Sequence, residues 1–251
     1  MAWDDDQLTY DAFLGGRVHA WQPRAGYRAA TDPVLLAAAT EATPGQSVLE
    51  LGCGAGVALL CLATRVPGLS LAGVERQEDY ADLARRNLGA QAGIETADLA
   101  DLPASMRQQT YHHVIANPPY YPLGGGTAAS NPGREAALRT ETPLETWVDV
   151  AARRLAPKGW LTMIQLAERL PEIMAALHPR LGSIALRPIA GRDGRHAGRV
   201  LIRARKGGRS PFVLLPPLVM HEGLSHTDDG DSYAPRASAI LRDGAALPWD
   251  E

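Results

Sequence analysis

The chain has 251 residues, a formal net charge of −3, 45% apolar and 21% charged side chains, which fits one large α/β domain or such a domain with modest additions. No stretch approaches the ~20 apolar residues of a membrane helix, and the acidic start Met1-Ala2-Trp3-Asp4-Asp5-Asp6 lacks a basic-then-apolar export pattern, so a cytoplasmic protein without membrane association is expected. Cys53 and Cys61 have no histidines beside them, so both are expected to be reduced packing residues, with neither a disulfide nor a metal site.

Residues 1–46 form a lead with an expected helix over 32–40. Ser47–Leu51 reads as the first strand and runs into Gly52-Cys53-Gly54-Ala55-Gly56, with helical character following over 57–64. A second strand over 69–74 ends at Glu75, an amphipathic helix covers 78–91, and a short third strand over 94–97 closes on Asp98. Tyr111–Ala116 is the fourth strand and delivers Asn117-Pro118-Pro119-Tyr120 at its end. The Gly-, Ala- and Ser-rich loop over 122–142 is long for a compact domain and reads as an active-site lid or a segment ordered by substrate. A helix over 144–155 stops before Pro157 and Gly159. A fifth strand follows over 160–166, then a helix over 168–177 and a closing strand pair over 184–189 and 199–204. Residues 210–251 form a tail with a proline-punctuated strand over 212–220 and a short helix over 235–241. Strands alternating with helices predict a mainly parallel sheet covered on both faces, with residues 47–209 as the core, the lead as a cover and the tail as an extension packed on it.

The tetrad carries the most chemical information. An amide, two stiff prolines and an aromatic ring suit a device that holds a planar, amine-bearing group. The Asn117 side-chain oxygen and the Pro118 carbonyl can both accept hydrogen bonds from one exocyclic NH2, while Tyr120 stacks on the attached ring. Neither proline has an N–H with which the loop could satisfy those acceptors.

The glycine loop lets a ligand approach backbone at the positive end of a helix, a device that dinucleotide sites share. The position of a third fingerprint glycine holds Val57, however, and Glu50 places a carboxylate beside the loop, awkward for pyrophosphate and suited to an ammonium group. Glu75 can accept both ribose hydroxyls, and Asp98 can accept from an adenine amine. An acid-lined crevice at the carboxyl ends of successive strands suits a cationic, phosphate-free nucleoside such as S-adenosyl-L-methionine.

Glu50-Leu51-Gly52-Cys53-Gly54-Ala55-Gly56, Glu75, Asp98 and Asn117-Pro118-Pro119-Tyr120 resemble the motifs of class I methyltransferases of the small-domain, amino-methylating type. Ala30-Thr31-Asp32-Pro33-Val34-Leu35-Leu36, Tyr121, Arg199-Val200-Leu201-Ile202 and the tail around Tyr233 are similar to the bacterial tRNA adenine-N6 methyltransferases. The resemblance implies a Rossmann-like, seven-stranded sheet of order 3-2-1-4-5-7-6 with strand seven antiparallel. It also implies Thr31 and Asp32 beside the cofactor, Tyr120, Tyr121 and Arg199 towards an RNA substrate, and direct methyl transfer without a metal.

From Arg187 to Arg209 there are eight basic residues against one acid, Asp193, a candidate polyanion-binding face on an acidic chain. Release-factor glutamine methyltransferases carry the same tetrad because a glutamine amide is also planar, and they form the competing enzyme reading. A non-catalytic RNA-binding module of the same fold is the reading from another class, and a dinucleotide oxidoreductase is a distant further one.

Overall fold

The computed structural model describes residues 3–122, 139–140, 142–223 and 232–250. The lead begins with β1 (Leu8–Phe13) and β2 (Val18–Pro23), an antiparallel hairpin, followed by α1 (Thr31–Ala38). The hairpin was not expected. Its turn residues Leu14, Gly15 and Gly16 all have positive φ, and the Gly15-Gly16 pair between two apolar-alternating stretches was the sequence mark that announces it.

The core then alternates β3 (Ser47–Leu51), α2 (Val57–Arg65), β4 (Ser70–Glu75), α3 (Glu78–Leu88), β5 (Ala92–Thr96), the short α4 (Ala104–Arg107) and β6 (Tyr111–Ala116). Two-residue strands β7 (Tyr121–Pro122) and β8 (Arg139–Thr140) pair in parallel beyond β6. After them come α5 (Leu144–Arg154), β9 (Leu155–Leu166), α6 (Leu170–Leu177), β10 (Gly182–Arg192) and β11 (Ala197–Arg205). The tail adds β12 (Val213–Leu214), β13 (Leu218–His221) and α7 (Pro235–Asp243).

The helices form for legible reasons. In α5 the buried Leu144, Trp147, Val148 and Ala151 recur at three- and four-residue spacing, with Glu145 in the first turn and Arg153 and Arg154 in the last, matching the helix dipole. In α3 the same spacing buries Tyr80, Ala81, Ala84 and Leu88, again with acids first and arginines last. The strand β3 is buried along Val48-Leu49-Glu50-Leu51, as a central parallel strand covered on both faces should be.

Counting β3, β4, β5, β6, β9, β10 and β11 as strands one to seven, the sheet order is 3-2-1-4-5-7-6, and β11 runs antiparallel to both neighbours. This is the Rossmann-like class I methyltransferase arrangement. The sheet is nevertheless larger than seven strands: β12 and β13 both pair in parallel with β10, which makes nine among the described residues. The expected single strand over 212–220 is split because Pro216 and Pro217 offer no ladder N–H. The strand β9 starts earlier than expected, at Leu155, because the chain pairs with Tyr111 at once and absorbs Pro157 and Gly159 in an irregularity before Trp160 meets His113.

Two hydrophobic layers sandwich the sheet. One joins α1, α2, α3 and α7 through Leu35, Leu36, Leu59, Leu62, Ala84 and Ile240. The other packs α5 and α6 on the opposite face through Leu144, Trp147, Val148, Ile173 and Leu177. The tail is fastened to the lead, since the Trp249 indole N–H donates to the Ala39 carbonyl at 2.7 Å. Among the described residues no helix is long and apolar enough to cross a membrane.

Much of the basic stretch from Arg187 to Arg209 is also engaged within the protein. Arg187 donates to the Pro248 carbonyl, Arg192 to the Gly223 carbonyl, Arg205 to the Lys158 carbonyl and Lys206 to the Leu155 carbonyl. Arg203 pairs with Glu41 and lies over the Trp160 ring, and Arg199 pairs with Asp32. Arg195 and Arg209 remain exposed. Arg199 and Arg203 thus meet carboxylates of the lead, and the carbonyl-bound cations keep their charge while their side chains brace the fold.

Candidate active site

The carboxyl ends of β3, β4, β5 and β6 open into one cavity, lined among others by Glu50, Gly52, Gly54, Glu75, Asp98, Asn117, Pro118, Pro119 and Tyr120. Four adjacent parallel strands point the same way, so residues scattered over some seventy positions meet here.

Gly52, Gly54 and Gly56 have φ of 64°, 52° and 80°, a left-handed conformation that costs other residues about 1–2 kcal/mol. Packing adds to the requirement at two of them. A Cβ on Gly52 would lie 2.6 Å from the Trp147 ring, and one on Gly56 would lie 2.7 Å from Leu88 Cδ1. Gly56 does not itself line the cavity; it caps α2 and sets the loop's shape. Gly56→Ala is therefore expected to lower stability by about 1–3 kcal/mol, read as a lower urea midpoint with an unchanged slope.

Glu75 is organised by backbone. Its carboxylate accepts from the Gly54 N–H at 3.0 Å and from the Gln77 N–H at 2.9 Å. Burial raises its pKa, and these bonds partly offset the rise. Glu50 is only 4% exposed, and its Oε2 is buried with no hydrogen-bond partner. Burial holds its carboxyl well above the usual range. Asp98 sits at the cavity's rim, where it is exposed and accepts from the Ala100 N–H at 2.9 Å as a helix cap.

Asn117 Oδ1 is likewise buried and unpartnered. The carbonyls beside it are not: Gln165 Nε2 donates to the Pro118 oxygen at 3.1 Å and to the Pro119 oxygen at 3.3 Å. A carbonyl has two lone pairs, so the Pro118 oxygen keeps one for a further donor. The Tyr120 hydroxyl donates to Asp32, which is also paired with Arg199, while Thr31 lies within 3.5 Å of Asp32 and 3.4 Å of Arg199. Thr31, Asp32 and Arg199 thus form a cluster behind Tyr120 and outside the cavity lining. Tyr121 begins β7, and the expected lid falls mostly on residues 123–138 and 141, which lie outside the described residues.

Sequence reasoning missed several wall residues. Gln22 from the hairpin, Tyr27, Tyr80 and Trp147 all line the cavity. The Tyr80 hydroxyl donates to the Tyr27 carbonyl at 3.1 Å and accepts from the Tyr27 N–H at 2.8 Å, pinning the lead onto α3. No local pattern marks these residues, because their partners are dozens of positions away. The histidines of β6 hold no place in the cavity: His112 bonds Ser47, and the buried His113 bonds Gln46 at 2.9 Å, with burial pushing its pKa down to about 4. Cys53 lies in the wall, but burial raises its pKa well above the ordinary thiol value, which disfavours the thiolate. No three His, Cys, Asp or Glu side chains among the described residues form a metal-binding group.

Residues 30–184 match the model of the family described as the methyltransferase small domain. Among curated proteins, the chain is 30% identical over 212 residues to a tRNA1(Val) (adenine(37)-N6)-methyltransferase of Cronobacter sakazakii, covering 82% of this chain and 80% of that one. It is 29% identical over 236 residues to a protein of the same name from Porphyromonas gingivalis, covering 87% and 91%. Among solved structures, a predicted O-methyltransferase of Agrobacterium tumefaciens superposes with a TM-score of 0.70 at 27% identity, covering 86% of this chain and 98% of that one. The 16S rRNA N2 G1207 methyltransferase of T. Thermophilus, at 20% identity and a TM-score of 0.54, shares the fold; the match covers 80% of this chain and half of that one.

Proposed function

We infer from membership of the methyltransferase small-domain family, to which this chain belongs, that it transfers a methyl group from S-adenosyl-L-methionine to the exocyclic N6 amine of an adenine in RNA, tRNA first. The observation that carries this reading is the unpartnered, buried Asn117 Oδ1 at the end of β6, in a cavity that also contains an unpartnered Glu50 carboxylate oxygen. Two orphaned acceptors are costly unless a ligand brings donors to them.

The residues present fit the cofactor. Glu50 and the glycine loop would take its cationic end, Glu75 its ribose and Asp98 its base. When bound, S-adenosyl-L-methionine supplies a methyl group already activated by its sulfonium. The chain's task is then orientation. Asn117 Oδ1 accepts one hydrogen of the incoming amine and the free lone pair of the Pro118 oxygen accepts the other, which aims the nitrogen's own electron pair out of the base plane. Tyr120 offers a ring for the base to stack on, and its hydroxyl is tied back to Asp32. Such positioning can be worth ~7–11 kcal/mol. An oxygen nucleophile would bring one hydrogen at most to these two acceptors, which favours an amine over the chemistry in the Agrobacterium protein's name.

RNA as the substrate is supported by the names of the curated relatives, which match along most of both chains. It draws no support from the arginine-rich stretch. A glutamine side chain presents the same NH2, so a protein substrate is the second reading. The test is transfer of labelled methyl groups to total RNA and, separately, to total protein, followed by nucleoside analysis. Label in RNA as N6-methyladenosine is expected, with transfer falling steeply as salt rises. Label confined to protein would replace the RNA reading, and no binding of S-adenosyl-L-methionine would leave only a non-catalytic module.

A further inference from the structure

We propose that Gln165 and Arg169 are positioning residues that hold the Asn117–Tyr120 loop rigid from behind, so that Asn117 Oδ1 is presented in one orientation. The purpose of this clamp rests on the amine-holding reading above; the clamp itself does not.

Gln165 lies near the end of β9, next to β6, in a run of buried residues, and is itself 0% exposed. A buried amide in an apolar strand is costly unless each of its groups is bonded. Here its Nε2 spans the Pro118 and Pro119 carbonyls, and its Oε1 accepts from the Leu166 N–H at 2.7 Å, which prevents the amide from turning over. Arg169, four residues on, reaches the Pro119 and Tyr120 carbonyls with Nη1 at 3.4 Å each. Its fork is held by Glu172 through Nη2–Oε2 at 2.8 Å, Nη2–Oε1 at 3.0 Å and Nε–Oε2 at 3.1 Å, and its side chain is 11% exposed.

Together the two side chains engage three successive carbonyls of a loop whose prolines supply no N–H groups of their own. Backbone freedom about Pro118 would swing both the Asn117 amide and the Pro118 oxygen. A shift of ~1 Å at such a site costs about 100-fold in rate. Gln165 therefore fixes the Pro118 acceptor directly, and Arg169 steadies the chain just beyond it. Sequence alone had no means of linking a glutamine in the fifth core strand to a motif 46 positions earlier.

The test compares wild type with Gln165→Glu, which keeps the shape but reverses the donor, and Arg169→Met, which keeps much of the length. Hydrogen–deuterium exchange is followed in peptides spanning 115–121 and 47–56, and S-adenosyl-L-methionine binding is measured by calorimetry. Faster exchange at the Asn117 and Tyr120 amides, by about fivefold or more, is expected, with the glycine loop unchanged and cofactor affinity within about twofold. On whichever RNA the wild type labels, kcat should fall at least tenfold. Unchanged exchange and unchanged kcat overturn the clamp, as does loosening that extends equally to 47–56. Should Gln165→Glu fail to fold, Arg169→Met decides. A wild type that labels no RNA overturns the RNA reading, one that labels neither RNA nor protein overturns the amine reading, and in both cases the exchange data still decide the clamp.

Discussion

Asn117→Ala is expected to bind S-adenosyl-L-methionine as wild type does and to lose at least ~100-fold in turnover. The Oδ1 acceptor that the substitution removes makes no hydrogen bond within the protein, so no hydrogen bond of that oxygen is lost from the fold. Stability should be unchanged or slightly higher, because a buried, unsatisfied oxygen is deleted. The loss should appear in kcat and kcat/KM alike, the signature of an interaction made in the transition state. Calorimetry with the cofactor and initial rates of methyl transfer check the two halves of this expectation separately. Turnover within a few-fold of wild type would remove Asn117 from the chemistry, and lost cofactor binding would move its role to the other side of the cavity.

Glu50→Gln is expected to split stability from binding in the opposite sense. The Glu50 carboxyl is buried, one of its oxygens has no partner, and burial raises its pKa well above the ordinary carboxylate value. Between the unfolded-state pKa and that raised value, the folded chain holds a proton that the unfolded chain has lost. Wild-type stability in the absence of cofactor should therefore fall as pH rises through this window, and the full penalty should apply above it. Glutamine carries no charge, so the variant should be more stable than wild type near neutral pH, on the order of 1–3 kcal/mol, and should have a flatter stability profile. Glu75 is raised by burial too, so the slope should diminish and not vanish. Cofactor affinity should drop at least tenfold, because the carboxylate that would meet the ammonium group is gone. Urea unfolding across pH and calorimetry measure both quantities; a variant that is less stable and binds normally would refute the assigned role.

The cavity was readable because its parts sit at strand ends. Glycine and proline punctuate the chain there, and a carboxylate or amide directly after an apolar run stands out. The same reading erred wherever a side chain's role depended on a distant partner. The arginines between 187 and 209 look like a polyanion surface until Arg203 is seen against Glu41 and Trp160, and Arg199 against Asp32. Gln165 looks like an ordinary polar residue in a strand until it is seen under Pro118 and Pro119. The N-terminal hairpin escaped notice because its alternation is short and its stability comes from docking: Asn87 bonds the Trp21 N–H at 2.7 Å.

What the amino-acid order determined by itself was the set of local choices. These are the strand and helix periods, the left-handed glycine turn, and an amide-proline-proline-aromatic loop unable to satisfy its own carbonyls. Local geometry and backbone chemistry act over a few residues, so they are written in a few residues. Tertiary structure alone decided which polar groups are spent and which stay open, because that depends on partners brought together across the sheet. It left one oxygen each of Glu50 and Asn117 unpartnered in one cavity, tied the Pro118 and Pro119 carbonyls to β9, and drew much of an arginine-rich stretch into internal bracing.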